Sequence, residues 1–225
     1  MSLMNWKEGI MKKELHIVLG ASGPVGRAVI EALNAKDKQV VAVGRSKKVR
    51  GVENRNADLL IMSELNKAVS GATHVYLCAG LTYDIKVWQR DWPIVMSNAI
   101  AACEAEEAVL IFIDNIYMYG PQPLEIPFDE EHAQEPSSKK GRVRKQIASM
   151  LLNAHADGRI KGVIGRAADF YGPSVESSVL YISFLERILK GKNPQTLGAL
   201  DQKHTFAYTP DIGKALVALA LDPVS

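Results

Sequence analysis

The chain has 225 residues, of which 47% are hydrophobic and 23% are charged. These proportions are ordinary for a globular protein, and they exclude an intrinsically disordered chain. Lysine and arginine exceed aspartate and glutamate by 27 to 25, so no strong positive field would draw the chain onto nucleic acid or an anionic membrane. We therefore expect small molecules or proteins as partners, with no nucleic acid and no membrane.

The N-terminus and the two cysteines indicate a cellular compartment. Residues 1–11 lack the apolar core of a signal peptide, and no later stretch approaches the roughly 20 apolar residues of a membrane span. Cys78 and Cys103 lie 25 residues apart without a CxxC pair, which favours a reducing compartment over a disulfide framework. We expect a cytoplasmic protein with an N-terminal extension over 1–11 and one domain over 12–225.

Short apolar segments alternate with amphipathic ones along the chain. Because the apolar segments are short, continuous and separated by helical patterns, they predict strands buried on both faces of a parallel sheet. The fold class is therefore α/β, a doubly wound parallel sheet of the Rossmann type. The predicted strands are 15–19, 39–43, 73–78, 108–113 and 162–165, and the predicted helices are 25–34, 62–70, 85–105, 138–156, 176–190 and 211–221.

Prolines modify two parts of this pattern. Pro93 lies inside the predicted helix 85–105, so we expect a kink or a later helix start there. Residues 120–137 contain four prolines, which predicts a loop without regular structure. Long loops of this kind commonly border a functional site.

A glycine-rich turn follows the first predicted strand and opens the first helix. A first glycine allows a tight turn, a second lets the backbone approach a pyrophosphate, and a third permits close packing of helix on strand. The helix N-terminus adds free N–H groups and a positive dipole for the phosphates. The turn predicts dinucleotide binding by Gly20, Ala21, Ser22, Gly23, Pro24, Val25 and Gly26.

The end of the second predicted strand indicates which dinucleotide is bound. An acidic residue there usually holds the free ribose 2′-hydroxyl of NAD, but this sequence reads Val-Gly-Arg-Ser-Lys-Lys over 43–48. Arg45 can offer its planar guanidinium, and Ser46 its hydroxyl, to a 2′-phosphate. The pattern favours NADP, with NAD as the alternative cofactor and a solvated basic turn as the structural alternative.

Several short motifs in fixed order carry a family resemblance. They are the turn 20–26, Ala57-Asp58-Leu59, Leu77-Cys78-Ala79-Gly80, Tyr119-Gly120, Arg166 with Tyr171-Gly172-Pro173, and the segment 206–211. Through them the chain resembles the extended or atypical short-chain dehydrogenase/reductases, also called NAD-dependent epimerase/dehydratases, from Leu15 to Leu221. The resemblance implies that Asp58 and Leu59 lie at the adenine, that Cys78, Ala79 and Gly80 wrap the cofactor, and that Tyr83 and Arg166 contact substrate.

The catalytic pattern of that family is incomplete here. None of the seven tyrosines is followed by a lysine four residues later, the spacing that would place both on one helix face. Lys139 and Lys140 open the matching helix and could hold the nicotinamide ribose or be solvated. Asn115 occupies the upstream serine position, where its amide could donate to a substrate carbonyl. Tyr117 is the candidate proton donor, with packing as the alternative.

Two functions remain open at this point. One is an NADP-dependent oxidoreductase, epimerase or dehydratase acting on a carbonyl or sugar-type small molecule. The other is a regulatory protein that senses NADP(H) without catalysis. The chain ends soon after segment 206–211, which predicts a reduced or truncated C-terminal substrate lobe with 167–210 as a part of it. The resemblance also implies a homodimer through helices 85–105 and 138–156.

Two further patterns predict no functional site. The five histidines show no metal-ligand spacing, so we expect no metal site. The basic residues of 139–145 are expected to form a solvated helix face.

Overall fold

The structure is a computed structural model that describes residues 13–121, 123–176, 178–195, 201 and 203–222. The predicted N-terminal extension, residues 1–11, lies outside the described residues. The strands are β1 (Leu15–Leu19), β2 (Gln39–Gly44), β3 (Glu53–Asn56), β4 (His74–Leu77), β5 (Val109–Asp114), β6 (Gly162–Arg166), β7 (Asp169–Tyr171) and β8 (Phe206–Tyr208). The helices are α1 (Pro24–Asn34), α2 (Met62–Val69), α3 (Ile85–Glu106), α4 (Lys139–Ala156), α5 (Glu186–Leu189) and α6 (Thr209–Leu221).

A six-stranded parallel sheet of order β3-β2-β1-β4-β5-β6 forms the centre of the fold. Its central strands read as continuous apolar runs because both faces are covered by helices. One face packs mainly against α1 and α6, and the other against α2, α3 and α4. The order reverses between β1 and β4, which is where sheets of this type leave a crevice at the carboxyl ends of the strands. The predicted doubly wound Rossmann fold is confirmed.

The structure also contains strands that the sequence did not indicate. β3 reads Glu-Asn-Arg-Asn, and it joins the sheet edge through backbone pairing with Val41–Gly44. β7 and β8 form a separate two-stranded parallel sheet. β3 has no apolar run, and β7 and β8 have three residues each, which is shorter than the apolar runs by which the central strands were predicted.

Two helix predictions need correction. α3 starts at Ile85 and continues through Pro93, so the expectation of a later start is wrong. The helix predicted over 176–190 is shorter and irregular: a π-helical turn, Tyr181–Leu185, leads into α5, and neither segment contains a buried residue. A segment that buries no side chain has little packing to enforce a regular helix.

The described part of the proline-rich segment 120–137 contains no helix or strand, only one isolated bridge between Gly120 and Gln134. The rings of Tyr119, Phe128 and His132 pack against one another with centroid separations of 5.2 to 6.1 Å. These contacts fix the loop beside the carboxyl ends of β5 and β6. Within the described residues, no helix is long and apolar enough to cross a membrane.

Two histidines are packed together at the start of β1 and β4. The rings of His16 and His74 stack with centroids 4.5 Å apart, and Nδ1 of the fully buried His16 lies 3.2 Å from the Tyr76 hydroxyl. Burial and the neighbouring His74 lower the pKa of His16 to about 4, although Glu14 partly opposes that shift and Lys38 adds to it. Burial also lowers the pKa of His74. Both rings are therefore neutral at physiological pH.

We predict that this pair makes stability fall in mild acid. In the unfolded chain the His16 side chain takes up a proton near pH 6.5, whereas in the folded protein it does so only near pH 4. The free energy of unfolding therefore decreases as pH falls between these values. The His16 contribution to this loss is at most about 3 kcal/mol. Urea unfolding at pH 7.5, 6, 5 and 4 should show a shallower decline for His16→Asn. An unchanged slope in His16→Asn would contradict the assignment.

Candidate functional site

The glycine-rich turn lies at the switch point of the sheet. The backbone N–H groups of Gly20 and Ala21 both donate to the Val43 carbonyl, at 3.0 and 3.2 Å, and the Cys78 N–H donates to the Leu19 carbonyl at 2.9 Å. Gly20 has a φ of +78°, and a Cβ there would lie 2.5 Å from the Ala79 Cα. The turn after β1 and the segment after β4 therefore touch through their backbones, which only glycine permits.

The third glycine brings α1 onto this turn. A Cβ on Gly26 would lie 2.5 Å from the Gly20 carbonyl oxygen and 2.8 Å from the Ala21 Cα. The N-cap residue Gly23 supplies no side-chain hydrogen bond, and Pro24 occupies the first turn. The amino end of α1 is thus left uncapped beside the crevice, an arrangement suited to anions.

A basic loop follows β2 on the same edge of the sheet. Arg45 and Ser46 are exposed. Asn54 fixes the end of the loop, because its side chain accepts from the Val49 N–H and donates to the Val49 and Val52 carbonyls, each at 2.8 Å. The loop is therefore braced at its base while the side chains of Arg45 and Ser46 face solvent.

The residues expected around the adenine lie after β3. Asp58 is half-buried, and its Oδ1 accepts from the Leu60 N–H at 3.0 Å. Leu59 packs against the core, and its carbonyl accepts from Asn98 Nδ2 at 2.9 Å. Burial raises the pKa of Cys78 to about 12, so that thiol stays protonated and is not a nucleophile at neutral pH.

A second group of side chains collects after β4 and β5, which are neighbours in the sheet. The hydroxyls of Tyr83 and Tyr117 are 3.3 Å apart. Tyr117 stacks on Trp88 with centroids 6.3 Å apart, and Tyr83 meets Trp88 edge-on at 5.5 Å. The Lys140 ammonium lies 2.8 Å from the Tyr83 ring centroid. We call Tyr83, Trp88, Tyr117 and Lys140 the phenol–lysine cluster.

Only some of the predicted catalytic residues belong to this cluster. Lys140 belongs to it, whereas Lys139 is exposed at the first position of α4. The Asn115 side-chain oxygen accepts from the Tyr117 N–H at 3.0 Å, so Asn115 shapes the turn that carries Tyr117. Burial and the hydrogen bond with Tyr83 raise the pKa of Tyr117, which keeps that phenol protonated near neutral pH.

A buried ion pair lies beneath the cluster. Arg144 Nε donates to Asp114 Oδ1 at 2.6 Å, and the guanidinium lies 4.6 Å from the Trp92 ring. Both side chains are almost completely buried. Burial raises the pKa of Asp114, and the adjacent guanidinium opposes that rise. Arg144 remains charged, so the pair joins the end of β5 to α4.

This finding corrects one sequence expectation. The basic residues of 139–145 were expected to be solvated, but Arg144 is buried on the same helix face as Ile147, Ala148 and Leu151. Helical spacing could have revealed it, because residues three, four and seven positions apart share a face. The expectation was correct for exposed Lys139, Arg142 and Lys145.

Arg166, predicted to contact substrate, ends β6 directly beside Asp114 in register. Its Nη1 donates to the Tyr119 hydroxyl at 2.8 Å, and its Nε is buried with no hydrogen-bond partner among the described residues. No group of three or more histidine, cysteine or acidic side chains that could hold a metal ion occurs in the described ranges.

Comparison with known proteins places these features in a family. The model of the NAD dependent epimerase/dehydratase family matches residues 16–225. No curated protein sequence matches this chain.

Three solved structures illustrate the likeness of fold. UDP-glucose 4-epimerase of Thermotoga maritima, solved with UDP-glucose, has a TM-score of 0.80 at 19% identity over 92% of this chain and 73% of that one. UDP-N-acetylglucosamine 4-epimerase of Methanobrevibacter ruminantium, solved with UDP-N-acetylmuramic acid, has a TM-score of 0.79 and 21% sequence identity. The match covers 95% of this chain and 74% of that one. UDP-glucose 4-epimerase of Thermus thermophilus, solved with NAD, has a TM-score of 0.77 and 21% sequence identity. The match covers 92% of this chain and 75% of that one.

We predict that Gly26→Ala destabilises the chain even though alanine is the better helix former. The new methyl group would press on the backbone of the turn at 2.5 Å, and overpacking of this kind costs about 1–3 kcal/mol. Urea unfolding measures the loss. Gly80→Ala is the matched control, because a Cβ there meets no atom within 4 Å. Equal unfolding free energies for the two variants would contradict the close packing.

Proposed function

The chain belongs to the NAD-dependent epimerase/dehydratase family, and on that premise we propose that it binds a nicotinamide dinucleotide and catalyses oxidation or reduction within a sugar-type small molecule. The observation that carries the proposal is the backbone contact between Gly20 and Ala79 beside an uncapped helix. The contact fixes the turn beside the uncapped amino end of α1, and the free N–H groups of a helix amino end suit the phosphates of a dinucleotide. A sensor without catalysis is not favoured by this family membership.

The residues around the crevice fit such a cofactor. Backbone from Gly20 to Gly26, with Ala21, Ser22, Pro24 and Val25 between, would hold the diphosphate against the amino end of α1. Asp58 and Leu59 would border the adenine, and Cys78, Ala79 and Gly80 would line the middle of the cofactor. Exposed Arg45 and Ser46 would meet a ribose 2′-phosphate, which favours NADP over NAD.

The phenol–lysine cluster would lie at the nicotinamide end. A bound nicotinamide supplies a hydride donor or acceptor. Tyr117 would donate a proton to a substrate oxygen, Asn115 would orient Tyr117 through the turn it closes, and Lys140 would contact the ribose. Because the pKa of Tyr117 is raised, this phenol suits donation to a carbonyl oxygen better than removal of a proton from an alcohol.

The substrate side is formed by the C-terminal third of the chain. We infer that residues 167–210, with β7 and β8, are part of a substrate lobe within one domain spanning 12–225, and that Tyr83 and Arg166 face the substrate. Structural neighbours solved with UDP-glucose or UDP-N-acetylmuramic acid support a sugar nucleotide as the substrate class. α3 and α4 pack side by side and expose Ile94 and Leu152 at 42% and 46%, which supports a homodimer through these helices.

Calorimetry and a hydride assay test the function directly. Purified full-length protein should bind at least one of NAD⁺, NADH, NADP⁺ and NADPH. With a member of a panel of UDP-sugars and 4-keto sugar nucleotides, it should also change absorbance at 340 nm or, for a redox-neutral epimerisation or dehydration, form a product that chromatography separates from the substrate. Absence of binding to all four dinucleotides would overturn the proposal. Binding without turnover across the panel would support the sensor instead.

Cofactor preference depends on the basic loop after β2. We predict that Arg45→Ala weakens NADPH binding about tenfold or more while NADH binding changes little, because only NADPH has a 2′-phosphate for a charge-assisted contact. Calorimetry with both dinucleotides measures the difference. Lys36→Ala, an exposed site beyond the far end of α1, makes the same change in net charge and should leave both affinities unchanged. Equal weakening of both dinucleotides by Arg45→Ala would contradict the role in specificity.

A further inference from the structure

Building on the proposed function, we propose that Tyr83 and Tyr117 form a two-phenol relay that delivers a solvent proton to the substrate oxygen. The relay would replace the tyrosine and lysine spaced four residues apart, which this chain lacks. In it Tyr117 touches the substrate, Tyr83 restores the proton of Tyr117, and Lys140 positions Tyr83.

The first argument is that Tyr83 is more exposed to solvent than Tyr117. Tyr117 is half-buried, whereas Tyr83 is 67% exposed. Their hydroxyl oxygens are 3.3 Å apart, within reach of a hydrogen bond that either phenol can donate. A proton can therefore pass from water to the outer phenol and then to the inner one. A half-buried Tyr117 by itself would have a poorer route for recovering its proton.

The second argument is that local structure holds both tyrosines in place. Asp84 caps α3 directly after Tyr83, with Oδ1 accepting from the N–H groups of Lys86 and Val87 at 2.7 and 3.1 Å. Asn115 accepts from the Tyr117 N–H at 3.0 Å. Trp88, buried at the start of α3, contacts both phenol rings. The meeting of the two hydroxyls thus follows from two capped turns and one shared aromatic partner.

Lys140 supplies the third argument. Its ammonium lies 2.8 Å from the centroid of the Tyr83 ring and 3.5 Å from the Tyr83 carbonyl oxygen, to which it donates. A cation on the ring face holds the exposed side chain against α4.

The charged groups around the relay come from three elements. Arg144 on α4 favours a phenolate at Tyr117, whereas Asp169 on β7 opposes one. Asp114 on β5 is paired with Arg144, so the charge of that guanidinium is largely compensated. Lys140, also on α4, lies beside the outer phenol.

The proton and electron balance is that of carbonyl reduction. The carbonyl carbon would gain a hydride from a bound reduced nicotinamide dinucleotide, the carbonyl π bond would break, and the Tyr117 proton would form the new O–H bond. The Tyr83 proton then moves to the Tyr117 phenolate, and a water proton returns to Tyr83. In sum, the substrate gains one hydride and one solvent proton while the dinucleotide is oxidised.

The test compares Tyr83→Phe, Tyr117→Phe and the double variant in reduction of the 4-keto sugar nucleotide UDP-4-keto-6-deoxyglucose by NADPH. Each phenylalanine keeps the ring and removes only the hydroxyl. We expect Tyr83→Phe to lower kcat at least tenfold, with KM within twofold and a larger solvent deuterium isotope effect. The double variant should be no slower than Tyr117→Phe, because both hydroxyls serve one path.

Tyr76→Phe is the control, since that hydroxyl faces His16 inside the sheet. It should retain wild-type kcat and isotope effect. Imidazolium buffer should partly restore kcat in Tyr83→Phe, because the lost phenol lay at an exposed position, and should leave Tyr117→Phe slow. A change confined to KM, or additive losses in the double variant, would overturn the relay while leaving the proposed function intact. Lack of reduction by wild type would overturn the relay and count against reductase activity, whereas lack of dinucleotide binding would overturn the function itself.

Discussion

Close backbone contact at the switch point of the sheet is the constraint on which the rest of the site depends. Gly20 passes so near Ala79 that a single Cβ would collide, and Gly26 brings the first turn of α1 equally close to the backbone of Gly20 and Ala21. This packing aligns the turn after β1 with the loop after β4. Because Tyr83 lies only four residues beyond Ala79, the same contact also sets where the phenol–lysine cluster begins.

The Asp114–Arg144 pair plays the corresponding part on the other side. It attaches α4 to the carboxyl end of β5 inside a wall of Trp92 and Phe112. Lys140 lies one helical turn before Arg144, so the ion pair fixes which face of α4 meets Tyr83. Removing one partner would leave the other charge buried and unpaired. The resulting loss of stability would exceed the stabilisation that the intact pair provides. The proposed dinucleotide half and the proposed catalytic half are thus each anchored by a buried contact, one steric and one ionic.

Much of the sheet was predictable because its central strands are apolar apart from His16 and His74 and its first turn is marked by glycines. β3 was not predictable. Glu53–Asn56 joins the edge of the sheet through backbone pairing, and its side chains show no strand pattern. The choice between Lys139 and Lys140 depends on the rotation of α4, which its first residues do not reveal. The meeting of Tyr83 with Tyr117 depends on two loops from adjacent strands, and local spacing carries no information about such a contact.

The small sheet of β7 and β8 has an evolutionary consequence. Asp169–Tyr171 pairs in register with Phe206–Tyr208, so the chain leaves the Rossmann core and re-enters it at one fixed seam. Insertions, deletions and drift between those strands can accumulate without disturbing the central strands. Related proteins can therefore differ in this segment while the proposed dinucleotide half stays the same.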